Sequence, residues 1–216
     1  MESKDLKYIF VGIVAMGLAF AIYSFIGVIN DFTDLPYLGN TTKDEQGNKV
    51  YHQIGEFKVV NQFGDTLTQD DMRGKIHVAN FFFTSCPVIC PKMTTNMKEG
   101  VQEKLKNIPE LQFISFSIDP KRDSIQKMKK FAERFDIDES NWNFVVADKK
   151  DIYVLARNSY FLVAVEGTEE RNDFIHSEQV ALVDQNLHIR GFYDAMEEAD
   201  MKQLKKDIIK LSKSNI

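Results

Sequence analysis

The sequence has no excess of positive charge: its 216 residues carry 27 lysines and arginines against 32 aspartates and glutamates, a net charge of −5. A protein that binds nucleic acid needs a clustered basic face, so this balance argues against nucleic acid as a partner. Internal repeats and low-complexity blocks are also absent. The roughly 185 residues after Asp31 are a length that usually forms one domain with a sizeable core. We therefore expect a single globular domain.

Cysteine is scarce as well, and both residues of this type, Cys86 and Cys90, follow an apolar run at the start of a predicted helix. Neither lies in the N-terminal segment, so we expect no lipid on an N-terminal cysteine. Residues four apart share one helix face with Cβ atoms roughly 5–6 Å apart, close enough to share a metal or form a disulfide. The positive end of the helix dipole favours the thiolate, which is the nucleophile and the soft metal ligand. The alternative is a structural disulfide, although so short a loop removes little entropy from the unfolded chain.

Charged residues are absent from residues 8–29. A run of this length matches the roughly 20 apolar residues that span a bilayer, so it predicts a transmembrane anchor. Two lysines lie in the tail of residues 1–7, whereas Asp31 and Asp34 follow the run. Because positive residues stay in the cytoplasm, we expect the tail there and the rest of the chain on the other side of the membrane. The cysteines would then be in an oxidising compartment.

A cleavable signal peptide is the alternative for this segment, because Ala19-Phe20-Ala21 fits a small-x-small cleavage site. Cleavage there would leave residues 22–29 as an apolar tail on the mature protein, which favours an uncleaved anchor. The tail before the anchor also lacks the arginines of a mitochondrial transit sequence. We therefore expect a single-pass protein of the bacterial inner membrane, with its C-terminal domain facing the periplasm or the cell exterior.

Residues 30–53 are polar and carry turn signals, and they predict a linker that binds nothing. The domain then covers residues 54–216. Its apolar patterns predict strands at 57–61, 76–83, 111–118, 144–147, 180–183 and 188–192, and helices at 90–106, 123–135 and 196–213. Strands that alternate with helices imply an α/β fold with a mostly parallel sheet, to which the late hairpin adds antiparallel strands.

A thiol pair at a strand-to-helix corner of such a sheet is typical of thioredoxin-like proteins. Several motifs accompany it in order: Ile54-Gly55-Glu56-Phe57, Arg73-Gly74-Lys75, Thr84-x-Cys86-Pro87-x-x-Cys90-Pro91, Ser117-Ile118-Asp119-Pro120-Lys121-Arg122-Asp123, Trp142, Asp173-Phe174-Ile175-His176-Ser177, and Val183-Asp184 before Gly191-Phe192-Tyr193. On these motifs the chain from Ile54 onward resembles the Sco (SenC/PrrC) family of membrane-anchored copper proteins. One departure is Val88, where many relatives have aspartate; its loss is expected to alter thiol pKa and metal entry without removing a ligand.

The resemblance implies a thioredoxin-like fold, with a central mixed sheet flanked by helices, after one N-terminal transmembrane helix. It also implies a copper site with Cys86, Cys90 and His176 as ligands. Thiolates prefer Cu(I), and an added imidazole makes Cu(II) tolerable, so such a site can hold both oxidation states. Three ligands leave an open position, unlike the four closed ligands of structural zinc. Residues 166–173, which precede His176, are polar without apolar periodicity, and they predict a mobile loop that copper binding would order. The alternative is a surface loop of ordinary acidity.

The function implied by the resemblance is a non-enzymatic metallochaperone for the binuclear copper centre of cytochrome c oxidase. The implied partners are the copper-centre subunit of the oxidase, an upstream periplasmic copper donor and the membrane. The alternative is a thiol–disulfide oxidoreductase or redox sensor acting on the oxidase cysteines, with Cys86 as the attacking thiol because it is nearer the helix start. His176 discriminates between the two, because thiol exchange does not require it. A peroxidase fits less well, since a peroxiredoxin presents its cysteine in a different Pro/Thr context.

The remaining soft or nitrogen donors are interpreted as structural. Met93 and Met97 follow Cys90 at helical spacing, a pattern that is more often core than ligand. His52, His77 and His188 have no partner residues nearby in the sequence and are not proposed as ligands. We expect His77 to be packed at a strand start and the other two to be exposed.

The sequence is consistent with either a structural or a functional role for one acidic motif. Asp119, Pro120 and Asp123 have the pattern of loop residues, and Asp123 that of a helix N-cap. Because they also match the family motif, a role near the opening of the metal site is a second hypothesis for these residues.

Overall fold

The computed structural model describes residues 13–20, 22, 34–162 and 178–213. The chain divides into two compact units, Met1–Leu35 and Pro36–Ile216. In the first unit, residues 13–20 are helical. Among the described residues, no helix combines the length and the apolar character needed to cross a bilayer. Most of the predicted anchor at residues 8–29 lies outside the described residues, and it stays a prediction.

The second unit contains nine described strands and four described α-helices. The strands are β1 (Thr41–Lys43), β2 (Lys49–Tyr51), β3 (Lys58–Asn61), β4 (Thr66–Thr68), β5 (Ile76–Phe82), β6 (Leu111–Ser117), β7 (Trp142–Val146), β8 (Gln179–Val183) and β9 (Ile189–Asp194). The helices are α1 (Ile89–Gly100), α2 (Ile125–Arg134), α3 (Lys149–Val154) and α4 (Glu198–Lys213). Short 3₁₀ turns cover Gln69–Met72 and Gln102–Lys104, and a π-helical turn covers Leu155–Ser159. All predicted strands and helices are confirmed, whereas the sequence does not predict β1, β2 and β4.

Seven strands form one sheet in the order β4-β3-β7-β6-β5-β8-β9. Strand β5 pairs in parallel with β6, and β6 with β7; the other four pairings are antiparallel. The expectation of a mixed sheet flanked by helices is confirmed, but the expectation of a mostly parallel sheet is wrong. Helical crossovers join β5 to β6 and β6 to β7, as parallel pairing requires. Strand β3 pairs antiparallel with β7 and β8 pairs antiparallel with β5, whereas β4 and β9 extend the sheet as hairpin partners of β3 and β8.

Strand β5 lies in the middle of the core, and all seven of its residues are buried. Successive side chains of a strand point to opposite faces, so both faces of β5 must be covered. Phe82 packs 5.3 Å from the ring of Phe131 in α2, whereas Phe81 stacks on Phe116 at 5.1 Å between ring centroids. The carboxyl end of β5, where the loop with the cysteines begins, is thereby fixed from both faces of the sheet.

The segment of residues 30–53 is predicted as a linker, and its described part, residues 34–53, contains regular structure. From Pro36 onward it belongs to the same compact unit as the rest of the domain. Strands β1 and β2 form an antiparallel hairpin, and Oδ1 of Asp44 accepts hydrogen bonds from the backbone N–H groups of Gln46 (3.0 Å) and Asn48 (2.7 Å) in its turn. The polar residues that indicate a linker therefore also serve a hairpin turn, because Asp and Asn side chains bond the nearby backbone.

Contacts with β9 hold this N-terminal segment on the sheet. The backbone N–H of Leu38 donates to the carbonyl of Ile189 at 2.9 Å. The ring of Tyr37 stacks on Tyr51 at 4.2 Å between centroids, and the guanidinium carbon of Arg190 lies 4.1 Å from the centroid of Tyr37. Stacked rings and cations over rings are favourable contacts at partly buried sites. The folded unit therefore begins well before the predicted domain boundary.

His77, the second residue of β5, is fully buried, which confirms that it is packed. Its Nε2 lies 3.2 Å from the hydroxyl of Tyr160, and its Nδ1 has no hydrogen-bond partner among the described residues. Burial lowers the pKa of His77 from 6.5 to about 3. The imidazole is therefore neutral in the folded protein and unavailable to a metal from outside the core.

We predict that His77→Gln makes the protein more resistant to acid. The pKa of His77 is lower in the folded than in the unfolded chain, so its contribution to stability is complete above about pH 6.5 and is lost as the pH falls towards 3. Near pH 4 this loss amounts to about 3 kcal/mol, whereas glutamine does not ionise. Urea unfolding of both proteins near pH 7 and pH 4 measures the difference. Equal losses of stability in the two proteins would contradict the prediction.

Candidate metal centre

Two elements bring the cysteines together. Cys86 lies in the loop that leaves β5, and Cys90 is the second residue of α1. The backbone N–H of Cys90 donates to Sγ of Cys86, with 3.3 Å between nitrogen and sulfur. Because the first N–H groups of a helix have no partner within it, the sulfur of Cys86 caps the start of α1. The predicted proximity of the two cysteines at a helix start is confirmed, but the expectation that both lie on one helix face is wrong, because Cys86 precedes α1.

Both cysteines are free thiols, and they are buried, with 6% of Cys86 and 3% of Cys90 exposed. Burial raises the pKa of Cys90 to about 12, and the adjacent Cys86 adds to this shift. The expectation that the helix start favours the thiolate is therefore wrong for Cys90, because desolvation outweighs the helix dipole. A metal that binds Cys90 at neutral pH must displace its proton.

Asp123 is not the predicted N-cap of α2. The N-cap is Ser124, whose hydroxyl accepts a hydrogen bond from the backbone N–H of Lys127 at 3.3 Å. Asp123 instead turns inward and is only 2% exposed. Its Oδ2 accepts hydrogen bonds from the backbone N–H of Thr84 (3.1 Å) and the hydroxyl of Ser117 (2.6 Å), and its Oδ1 accepts from the hydroxyl of Thr84 (2.5 Å). One buried carboxylate thus joins the ends of β5 and β6 beside the cysteine loop.

Asp119 lies at the same edge of the sheet. Its Oδ2 is 2.5 Å from Nε of Arg122 in an ion pair. Burial, and to a smaller extent the charge of Asp119, raises the pKa of Tyr153 in α3. The segments after β5 and β6 therefore meet at the carboxyl edge of the parallel strands through Thr84 and Asp123, and the charge of Asp119 acts on Tyr153 in the helix after β7.

The three residues between the two cysteines, Pro87, Val88 and Ile89, are apolar. Val88 precedes α1 and is 65% exposed, and its side chain makes no capping hydrogen bond. Two sulfur atoms are the donors that the described residues place at this position. Sulfur donors select soft ions such as Cu(I), whereas magnesium and calcium require oxygen ligands. The described half of the site therefore fits a soft metal.

The predicted third ligand, His176, and the polar segment 166–176 lie outside the described residues. His52 and His188 are half-buried, so the expectation that they are exposed is wrong. Nε2 of His52 lies 2.7 Å from the carbonyl oxygen of Ser159, and Nδ1 of His188 lies 2.8 Å from that of His52. Within the described ranges, no group of three or more histidine, cysteine, aspartate or glutamate side chains is arranged to hold a metal.

The two methionines that follow the cysteines in α1 belong to the core. Met93 and Met97 are each 1% exposed, which confirms their interpretation as core residues. They also offer conservative positions for control substitutions, since leucine has a similar volume.

The sequence reasoning did not assign a role to Thr84 or Ser117. Both stand in motifs of the family resemblance, Thr84 two residues before Cys86 and Ser117 at the start of the acidic motif. The sequence signal for such a role is a short polar side chain at or just after the end of each of two largely apolar strands. Their common partner, Asp123, becomes visible only when the two strand ends are adjacent in space.

The model of the SCO1/SenC family matches residues 45–213, which include both cysteines, the acidic motif and His176. The chain belongs to the SCO1/SenC family. The matched range covers most of the second unit and none of the predicted anchor. Its first residue lies in the β1–β2 hairpin, so the family relationship includes part of the predicted linker.

Solved structures of the Sco family share this fold. A SCO1/SenC family lipoprotein from Bacillus anthracis is 30% identical, with a TM-score of 0.67 over 74% of this chain and 95% of that one. BsSco, a member of the Sco family of cytochrome c oxidase assembly proteins in which a disulfide switch was identified, is 29% identical, with a TM-score of 0.64 over 74% and 94%. Copper-bound ScoI of Bradyrhizobium japonicum, at 22% identity and a TM-score of 0.59 over 73% and 98%, shows the shared fold.

Proposed function

We propose that this protein is a copper metallochaperone that binds one Cu(I) or Cu(II) ion through Cys86, Cys90 and His176 and assists assembly of the binuclear copper centre of cytochrome c oxidase. Its partners are then the copper-centre subunit of the oxidase and an upstream periplasmic copper donor. The observation that carries the proposal is the pair of buried, free thiols in contact at the start of α1. Copper in a relative of the same fold and the oxidase-assembly role of BsSco support it.

The chemistry of the pair explains why the site can release its ion. Two thiolates hold Cu(I) in a soft environment, and an imidazole from residue 176 would add a ligand suited to Cu(II). A three-ligand site leaves a position that a thiol or imidazole of an acceptor can occupy first. Transfer can then proceed by ligand exchange without free copper in solution.

The test is copper binding to the reduced full-length chain in detergent and to its His176→Ala variant. We expect one copper per chain with thiolate-to-copper(II) charge-transfer bands. The variant should bind Cu(II) about tenfold more weakly or worse, a loss of at least 1.4 kcal/mol, with altered bands. The His188→Gln variant, which changes a half-buried histidine outside the site, is the matched control. Weak copper binding by the wild type, or equal binding by His176→Ala, would reject the proposal.

A thiol–disulfide oxidoreductase is the second candidate, favoured by the contact between Cys90 and the sulfur of Cys86. The Cys86 thiolate would attack a disulfide of the oxidase and release one thiolate, and Cys90 would then displace the second. The oxidase cysteines are thereby reduced, and Cys86 and Cys90 form a disulfide. His176→Ala should leave this exchange unchanged, so the same variant separates the two functions.

We infer further that residues 8–29 anchor the protein in the bacterial inner membrane, with the domain on the periplasmic or outer side. The uncharged run and the lysines before it support this orientation, and a lipoprotein relative indicates that family members attach to membranes. Protease added to intact spheroplasts should degrade the domain of the full-length chain. A domain that stays intact until the spheroplasts are lysed would contradict this orientation.

A further inference from the structure

The loop that carries Cys86 is built around Thr84. The backbone N–H of Cys86 donates to the carbonyl of Phe83 at 3.2 Å, which closes a tight turn over Phe83–Cys86. Thr84 lies inside this turn, and both its backbone N–H and its hydroxyl donate to the carboxylate of Asp123. Any movement of the turn therefore requires these two hydrogen bonds to a buried acceptor to break.

Asp123 is itself fixed from two sides. Ser117, the last residue of β6, donates its hydroxyl to Oδ2 of Asp123 at 2.6 Å and accepts the backbone N–H of Asp119 at 3.2 Å. The backbone N–H of Asp123 donates to the carbonyl of Asp119 at 2.9 Å. Hydrogen bonds to an ionised acceptor are about twice as strong as those between neutral groups. The carboxylate is therefore a rigid link between the end of β6 and the turn before Cys86.

We propose that Asp123 is a positioning residue for the metal centre: it acts through Thr84 to hold Cys86 against the start of α1, where Cys90 lies. Cys90 is fixed by its place in the helix, so the separation of the two sulfur atoms depends on the turn that carries Cys86. The effect of Asp123 on copper binding rests on the proposed function. The link itself is a property of the metal-free protein and is tested without metal.

The first measurement is alkylation of the reduced, metal-free full-length chain by iodoacetamide, with the modified cysteine identified from peptide masses. Cys86 is 6% exposed, so it reacts only when its turn opens. Asp123→Asn and Thr84→Val should each accelerate alkylation of Cys86 about tenfold or more, because each removes bonds that oppose local opening. Thr84→Val changes no charge, so it separates the hydrogen bonds from the charge of Asp123.

The second measurement is Cu(I) affinity in competition with a chromophoric chelator. Loss of a residue that orients a metal ligand typically costs 10- to 100-fold in affinity, and we expect this range for both variants. Asp207→Asn is the matched control, because Asp207 is a buried carboxylate in α4 that accepts the hydroxyl of Tyr193 at 2.8 Å. It should lower the melting temperature and leave both Cys86 alkylation and Cu(I) affinity within twofold of wild type.

The outcomes are distinguishable. If Thr84→Val has the same rate of Cys86 alkylation and the same Cu(I) affinity as Asp207→Asn, the positioning role is rejected. This conclusion does not depend on whether Asp123→Asn folds. If the wild type binds no copper but both variants expose Cys86, the link stands and the proposed function fails. If copper binds tightly in the wild type and equally in both variants, the proposed function stands and the positioning role is rejected.

Discussion

Cys90→Ser is expected to lower the affinity for Cu(I) by more than about 100-fold, since even loss of a residue that only supports a ligand costs 10- to 100-fold. Serine keeps the shape of the side chain and replaces a soft sulfur by a hard, protonated hydroxyl that Cu(I) does not prefer. Because Cys90 is buried with a pKa raised to about 12, removing this thiol removes no charge from the metal-free protein. The fold should therefore be preserved while the site is lost.

Competition with a chromophoric Cu(I) chelator measures the affinity, and thermal unfolding of the same samples verifies the fold. Met93→Leu is the matched control, because Met93 is the next soft donor along α1 and is buried in the core. It should bind Cu(I) within twofold of wild type. A large loss in Met93→Leu would reassign the methionine as a ligand. An affinity of Cys90→Ser within tenfold of wild type would remove Cys90 from the site.

The central strand of the fold could be predicted because all of its residues are buried. Residues 76–83 are apolar except for His77 and Asn80, and a strand buried on both faces is the structure that such a run favours. The same run ends where Cys86 begins, so the strand-to-helix corner and the thiol pair follow from one pattern. Periodicity does not report pairing direction, and the antiparallel pairing of β3 with β7 could not be predicted from it.

The N-terminal segment shows where composition misleads. Residues 36–53 are polar because most of them face solvent, and only a few, such as Tyr37 and Leu38, attach the segment to the sheet. Their partners lie on β9, about 150 positions later in the chain, as in the hydrogen bond from Arg190 to the carbonyl of Pro36. A local pattern contains no information on such a contact, so the segment resembles a linker in sequence and a packed hairpin in structure.

The metal site also has features that the sequence predicts and features that only the fold reveals. The two cysteines are four positions apart in the sequence, and this spacing predicts that they lie close together at a helix start. The structure places Cys86 in the loop before α1 and Cys90 within the helix. The direction of the Cys90 pKa could not be predicted, because it depends on how deeply the thiol is buried rather than on its place at the helix start. The role of Asp123 also required the fold, since Thr84 and Asp123 are 39 positions apart and meet only because β5 and β6 are neighbours.

Asp184→Asn is expected to destabilise the domain by about 3–5 kcal/mol, the typical cost of removing one member of a buried ion pair. Asp184 and Arg190 are both buried, with 2.8 Å between Oδ2 and Nη1. The other carboxylate oxygen accepts the backbone N–H groups of Asn186 and His188 at 3.0 and 2.9 Å, and an asparagine oxygen can keep these turn bonds. The substitution therefore removes the charge while retaining the turn. Urea unfolding of the full-length chain measures the free energy of unfolding.

Two further variants separate charge from packing. Glu198→Gln breaks the exposed ion pair with Lys202 and should leave the free energy of unfolding nearly unchanged, because exposed pairs contribute little. Adding Arg190→Met to Asp184→Asn removes the second charge of the buried ion pair, so the double variant should be more stable than Asp184→Asn alone. It also removes the cation from the ring of Tyr37 and the hydrogen bond to Pro36, so protease should cut residues 36–53 first. A double variant less stable than Asp184→Asn would show that packing by Arg190 outweighs its buried charge.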